Sequence, residues 1–462
     1  MSDIAAIILA AGKGTRMKSK LPKALHPLCG KPMTRYIIDA CKCSGIDRCI
    51  VIVGHGADLV REGLGGDVQY VLQETQCGTG DACRQAIPVL EGFDGDVLVA
   101  PGDTPLITCE ILSELVNEHR VSGNAATLLT TELEDAIHYG RIHRKDDGCI
   151  IGIVEAKDAT PEQIKICEIN SAIYIFNLPL LRGYLKQLTP ANAQNEYYLT
   201  DVIGMMANDG YKLGSVITPD SDAVLGINNR KELADQTVII RKRINERLML
   251  NGVSITDPSS TYIDADAEIG EDTIINPQSY IEGKCRIGSN CVIGPSARLV
   301  NMQIGDGVSV LFSNLADSIV GDNVRIGPFA HIRPGCEIGD NSKLGNFVEG
   351  KKAIIGENVS IGHLSYIGDA SIGEHTNIGA GTITCNYDGY AKHKTTIGKE
   401  AFIGSHTTFV APVAVGDGAL TAAGSVITDD VPGDALAIAR SPQSVKEGWA
   451  KHRRAKMDKK SE

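Results

Sequence analysis

The sequence predicts two domains of different class: a doubly wound α/β domain over roughly the first half, then a parallel β-helix. Three observations carry this reading. Short apolar runs alternate with helical patterns as far as residue 227, the pattern of a mostly parallel sheet with helices on both faces. From Tyr262 aliphatic residues recur every six positions, a period that fits neither the helix nor simple strand alternation. The 462 residues include 50 Gly but only 5% aromatic residues, so many tight turns and a repetitive β architecture are expected.

Taken in order, residues 4–9, 50–53, 68–72 and 96–100 read as buried strands, and 31–44 and 80–89 as helices. Ligands of such sheets sit beyond the carboxyl ends of the strands. Leu233, Ile240, Ile244 and Leu248 recur at helical spacing, so 229–250 is read as a linker helix between domains 1–228 and 251–462. The hexapeptide series then runs Ile263, Ile269, Ile275, Ile281, Ile287, Ile293, Leu299. It slips, and resumes at Val320, Ile326, Ile332, Ile338, Leu344, again at Ile355, Ile361, Ile367, and again at Ile397, Ile403, Phe409, Val415. One aliphatic per hexapeptide points inward. A single coil cannot bury that side, so stacking is obligatory. Residues 384–395 break the repeat with two Tyr, two Lys and a His; a polar loop extruded from a rigid solenoid is a common place for function.

Lys+Arg 45 against Asp+Glu 57 leaves a net charge of −12, which argues against nucleic acid as a general partner. No apolar run is long enough to insert in a membrane. Met1-Ser-Asp-Ile lacks the basic region of a signal peptide, and a cytoplasmic protein is expected. The 13 Cys are scattered with no C-x-x-C, so reduced thiols are expected rather than disulfides or a structural zinc site. His331, His363, His375, His393 and His406 are too far apart for local zinc-ligand spacing.

The first strand runs into Ala10-Ala-Gly-Lys-Gly-Thr-Arg-Met17, neither a P-loop nor a dinucleotide fingerprint. Gly12 and Gly14 still let backbone N–H groups approach a phosphate. Lys13, Arg16, Lys18, Lys20, Lys23, Lys31 and Arg35 face only Asp3 in the first 38 residues, a local polyanion site in an acidic protein. Asp103 ends a strand in the run Val97-Leu-Val-Ala-Pro-Gly-Asp. Near phosphates a carboxylate there suits Mg²⁺; it would equally cap a helix.

Residues 9–17 with Lys23 resemble the signature of sugar-1-phosphate nucleotidyltransferases. Gln73, Gly78-Thr79-Gly80, Tyr139-Gly-Arg, Glu155, Asn170 and Gly226-Ile-Asn-Asn-Arg230 narrow the resemblance, as do the hexapeptides, Asn386-Tyr-Asp-Gly389 and Lys446-Glu-Gly-Trp449. Over nearly its whole length the chain is similar to the bacterial family of bifunctional N-acetylglucosamine-1-phosphate uridyltransferases/glucosamine-1-phosphate N-acetyltransferases. The resemblance implies an α/β Rossmann-like nucleotidyltransferase domain followed by a left-handed parallel β-helix. It implies UTP and acetyl-CoA as co-substrates, glucosamine-1-phosphate and N-acetylglucosamine-1-phosphate as sugar substrates, Mg²⁺ as cofactor and a homotrimer. The alternative is a single-activity sugar nucleotidyltransferase whose β-helix only oligomerises.

The same resemblance implies the roles. Arg16 and Lys23 would neutralise the triphosphate, Asp103 and Asn228 would hold Mg²⁺, and Leu9, Ala10, Ala11, Gly12, Gln73, Gly78 and Thr79 would contact the nucleotide. Gly140, Glu155 and Asn170 would hold the sugar. His363 would be the general base of acetylation, oriented by Glu349, and Arg333, Lys351, Tyr366, Asn377 and Lys392 would bind the sugar phosphate. Ala380, Asn386, Tyr387, Ser405, Ala423 and Arg440 would line the acetyl-CoA site, and the basic tail 446–460 would cap it. The family pattern is broken by Pro101, where Tyr is usual, and Ala172, where Gly is usual. Cys77 and Cys83 flank the Gly78 turn, so thiol modification is expected to block the nucleotide.

Overall fold

The computed structural model describes residues 3–134, 136 and 139–458. Two compact units divide at Ile244/Asn245. In the first, the strands are β1 (Ile4–Ala10), β2 (Arg48–Val53), β3 (Gln69–Leu72), β4 (Asp96–Pro101), β5 (Ala126–Glu132), β6 (Arg141–Arg144), β7 (Ile150–Val154), β8 (Glu168–Asn177) and β9 (Leu213–Ile217). The helices are α1 (Met33–Cys43), α2 (Ala57–Leu64), α3 (Thr79–Ala86), α4 (Cys109–Ser122), α5 (Leu178–Leu185), α6 (Thr200–Asn208) and α7 (Arg230–Leu250), the last of which runs through the division.

The sheet order is β9-β5-β8-β4-β1-β2-β3, with β6 pairing β8 and β7. The strands of this path run parallel except β8, which is antiparallel to both β4 and β5. Alternate residues of β1 enter different cores: Ala5 and Ile7 pack in one, Ile4, Ala6 and Ile8 in the other. Both faces are therefore covered, which explains the unbroken apolar runs.

Two helix boundaries differ from the sequence reading. Lys31–Pro32 pairs with Pro27–Leu28 as a two-residue hairpin, and α1 starts only after Pro32, whose ψ of 139° is not helical. The run 80–89 is α-helical only to Ala86, because Pro88 turns Ile87–Leu90 into a 3-10 segment.

The thiol reading also needs correction. Cys43 at the end of α1 and Cys109 at the start of α4 form a disulfide. They are 66 residues apart in sequence and 5.6 Å apart between Cα atoms, a proximity that only the packing of α1 beside α4 creates.

The second unit is a left-handed parallel β-helix of short strands stacked in sheets of 11, 10 and 9 strands. The hexapeptide aliphatics are its core: Ile275, Ile281, Ile332, Leu344, Ile361, Ile367, Ile403 and Phe409 are fully buried, and only Ile269, near its start, is half-exposed. The slip after Leu299 is not an interruption. Leu299 pairs directly with Leu315 and Ile304 with Val320, so the coil is merely shortened there and Leu315 takes the inward place.

Candidate active sites

In the first unit, β1 and β4 lie side by side, Leu9 opposite Pro101, so the loops leaving their carboxyl ends meet. Gly14 (φ 57°) turns the β1 loop back; a Cβ there would stand 2.8 Å from Lys23 Cβ. Lys23 then reaches across to the β4 loop, where its ammonium pairs with Asp103 Oδ2 and donates to Asn228 Oδ1 at 3.1 Å. Arg16 Nη2 donates to the same Asn228 oxygen at 2.8 Å. Leu9, Ala10, Gly12, Lys23, Thr34 and Asp103 line a cavity of about 90 Å³ at this point. The Asp103 and Asn228 oxygens thus converge on a position already holding a cationic group, a hard-oxygen pair suited to a divalent cation. Asp103 does not cap α4; that role falls to Thr108, whose hydroxyl accepts from Ile111 N.

Asn228 is set by the start of α7. Its N–H donates to Glu232 Oε2 at 2.6 Å, and Glu232 Oε1 accepts from Asn229 Nδ2 at 2.5 Å. Asn229 Oδ1 in turn accepts from Glu232 N at 3.0 Å, a reciprocal cap.

Gln73 is buried. Its Nε2 donates to Asp81 Oδ2 at 2.7 Å and Gly78 O at 3.2 Å. At Gly78 (φ 113°) a Cβ would collide with Tyr197 O at 2.6 Å, and the Thr79 hydroxyl accepts from Leu199 N. Gly140, Glu155 and Asn170 come together elsewhere in the cleft: a Cβ on Gly140 would lie 3.4 Å from Glu155 Oε2 and 3.5 Å from Asn170 Cβ. Burial pushes the Glu155 carboxyl above its ordinary pKa, opposed by the Thr200 hydroxyl. Ala172 sits at φ 60° in the irregularity of β8 between Asn170 and Tyr174, a conformation natural to Gly.

In the β-helix, Leu344, Ile361, Ile378, Ile403 and Thr421 pair in one continuous register. Two residues beyond each stand Asn346, His363, Ala380, Ser405 and Ala423, one column along a single edge. Thr421 pairs onward with Ala437, so Arg440 follows the next member of that column. Round the corner, Glu349 pairs in register with Tyr366 and Lys351 with Gly368. Arg333 Nη1 binds Glu349 Oε1 at 3.0 Å, and Asp369 joins Lys351 Nζ (3.5 Å) to Asn386 Nδ2. The loop that interrupts the repeat is a small hairpin, Tyr387 bridged to Lys392 and tied by Asp388 to Tyr390 N, Ala391 N and His393 Nε2. It sets Lys392 beside Lys351, whose ammonium holds Lys392 below its ordinary pKa. Two ammonium groups side by side are a place prepared for an anion.

Comparison with known proteins follows this division. A MobA-like NTP transferase domain matches residues 6–150. Bacterial transferase hexapeptide repeats match 266–301 and 317–349, and the hexapeptide repeat of succinyl-transferase matches 394–429. The bifunctional protein GlmU of Caldanaerobacter subterraneus subsp. tengcongensis is 48% identical over 98% of this chain and 99% of its own. GlmU of Thermoanaerobacter pseudethanolicus is 50% identical over 98% and 99%, and that of Listeria monocytogenes 47% over 98% and 99%. The chain belongs to the bifunctional GlmU family.

For a GlmU-family chain the sequence-derived residues fall into coherent groups, with exceptions. Lys31 and Arg35 do not join the basic loop: Lys31 pairs with Asp39, and Arg35 with Asp39 and, bidentately, with Asp67. Glu349 does not orient His363; it is held by Arg333, while His363 Nδ1 lies 2.5 Å from Asn346 Oδ1. Cys83 is fully buried and burial pushes its thiol up, so of the two cysteines flanking the Gly78 turn only Cys77 is open to modification. Asn377 sits on the strand Asn377–Ile378, three residues before Ala380 of the His363 column. The tail forms the exposed helix Trp449–Asp458, with Arg453 over the Trp449 ring; Lys459 and Lys460 lie outside the described residues, as do Met1 and Ser2.

Glu232, Asp369 and Asn346 escaped the sequence reading. Glu232 had a signal in the cap pattern Asn229-x-x-Glu232. Asn346 stands one coil before His363, but 17 residues back where three hexapeptides would give 18, so the repeat length alone points to its neighbour Gly345. Asp369 had none.

Proposed function

We propose that the chain makes UDP-N-acetylglucosamine by two reactions on one polypeptide. Residues 251–462 acetylate glucosamine-1-phosphate from acetyl-CoA; residues 1–228 join the product to UMP from UTP, releasing pyrophosphate; 229–250 link them. The observation that supports this reading is the presence in one chain of the bonded group Arg16–Lys23–Asp103–Asn228 and of His363 beside Asn346 in the column that holds Ser405, with Lys351 and Lys392 paired round the corner.

In uridylyl transfer a sugar-phosphate oxygen attacks the α-phosphorus of UTP as the bond to pyrophosphate breaks. The nucleophile is already anionic, so the site needs positioning and charge neutralisation rather than a strong base. Arg16 and Lys23 neutralise the triphosphate and the leaving group. Buried Gln73 and the Gly78 turn receive the base, and Gly140, Glu155 and Asn170 hold the sugar. Asp103 and Asn228 would hold Mg²⁺, which supplies further neutralisation of phosphate charge.

In acetyl transfer His363 removes the proton from the sugar ammonium. The freed amine adds to the thioester carbonyl to give a tetrahedral oxyanion; its collapse breaks the C–S bond, and the second amine proton leaves with the CoA thiol. Ser405 and Asn386 stabilise the tetrahedral oxyanion and the amine. Arg333, Lys351, Tyr366 and Lys392 bind the phosphate.

The assembly we infer is a homotrimer. Phe312, Phe329, Phe347 and Leu364 form an exposed apolar stripe along one corner, all with φ between 45° and 62°. Bulky residues rarely adopt that backbone, and a partner surface beside the His363 column accounts for their presence. Among the described residues no helix is long and apolar enough to cross a membrane, and dependence on UTP and acetyl-CoA supports a cytoplasmic location. His363→Ala should abolish acetylation and spare uridylylation, and Asp103→Ala should do the reverse. If either change removed both activities from a folded protein, the two-site reading would fail.

A further inference from the structure

His363 closes the strand Ser360–His363, and its direct parallel partner one coil earlier is Asn346. The coils approach closely here. A Cβ at Gly345 would lie 1.9 Å from Gly362 O, and Leu364 N donates to Asn346 O at 3.0 Å. The Asn346 side chain therefore stands on a backbone with little freedom, its Oδ1 2.5 Å from His363 Nδ1. An amide oxygen only accepts, so the hydrogen is on Nδ1 and the lone pair of the neutral ring is on Nε2.

Resting on the acetyltransferase reading, we propose that Asn346 is the positioning residue of the general base: it fixes the ring and the Nδ1–H tautomer of His363 and so makes Nε2 the nitrogen that accepts the sugar-ammonium proton. The carboxylate expected for this task, Glu349, is engaged by Arg333 across the corner. The choice of an amide has a chemical consequence. A carboxylate on Nδ1–H would favour the imidazolium and leave less free base near neutral pH; an amide orients without that cost. The other titratable groups on the flanking coils are Lys343 on the Asn346 strand, Glu349 and Tyr366 on the adjoining face, and His406 two coils beyond His363.

The test uses the full chain and both activities. We expect Asn346→Ala to lower the acetyl-transfer kcat about ten- to a hundredfold, part of the 10²–10⁴ that a general base contributes. The KM for glucosamine-1-phosphate should stay within about twofold and the β-helix melting transition should be unmoved, which together report a folded β-helix, and uridylylation should be unchanged. Asn346→Asp should recover most of the rate at alkaline pH, with the acid limb of the kcat profile moved about one unit upward. Wild-type kcat in Asn346→Ala, a defect confined to KM, or an unshifted acid limb in Asn346→Asp would overturn the proposal while leaving the acetyltransferase reading intact. Undiminished acetylation by His363→Ala would instead overturn that reading, and the proposal with it.

Discussion

The disulfide between Cys43 and Cys109 gives the most quantitative prediction. It joins the end of α1 to the start of α4 across a separation of 66 residues. Closing a loop of that length removes roughly 15 cal/mol/K from the unfolded chain, about 4 kcal/mol at 25 °C. For a domain of this size each kcal/mol corresponds to roughly 2–4 °C in melting temperature. Reduction should therefore lower the transition of the first unit by about 10 °C. The assay is scanning calorimetry of the wild type and of Cys43→Ser/Cys109→Ser, each with and without dithiothreitol. The wild type should fall to the double variant's temperature on reduction, and the double variant should ignore the reductant. The β-helix carries no disulfide among its described residues, so its transition serves as the internal reference. A wild type indifferent to reductant, or one that alkylates at Cys43 and Cys109 without reduction, would refute the reasoning.

Other outcomes follow from single residues. Burial raises the Glu155 pKa in the folded state, so its charge destabilises the fold once pH exceeds that raised value, and the penalty is absent below the unfolded pKa. Glu155→Gln should therefore raise the melting temperature at pH 8, with a smaller gain at pH 4, while weakening sugar binding; an equal gain at both pH values would count against it. Glu232→Gln removes one of two acceptors that hold Asn228 and Asn229. Uridylyl transfer should drop about tenfold, with acetylation unchanged, and parallel losses in both assays would contradict that placement. Ala172→Gly relieves a left-handed backbone at φ 60° and should stabilise the first unit by up to about 1 kcal/mol, measured by denaturant midpoint; a loss of stability would show that the methyl group's packing outweighs the strain.

The β-helix was legible because a period of six is a long-range signal, repeated in residue after residue from Ile263 to Val415. The α/β unit was legible through its parallel strands, whose two buried faces produce unbroken apolar runs. The antiparallel β8, with β5 and β6 beside it, left no comparable mark. Motif residues close in sequence, such as Gly14 and Lys23, could be read as a group. Contacts made only by stacking or packing could not. Cys43 and Cys109 are a surface pair created by two helices. Glu349 was drawn to Arg333 because the two stand on adjacent coils of one face, and Lys31 and Arg35 were neutralised by Asp39 and Asp67, which charge counting over the first 38 residues did not weigh. Asn346 needed the exact register of one coil on the next.

One chain carries both chemistries in this account of the molecule. The most direct measurement is a mass-spectrometric reaction containing glucosamine-1-phosphate, acetyl-CoA, UTP and Mg²⁺, with each component omitted in turn. We expect UDP-N-acetylglucosamine only from the full mixture, and N-acetylglucosamine-1-phosphate when UTP is left out. Conversion of supplied N-acetylglucosamine-1-phosphate without any acetylation of glucosamine-1-phosphate would contradict it, leaving the His363 column without its reaction and the β-helix as a scaffold.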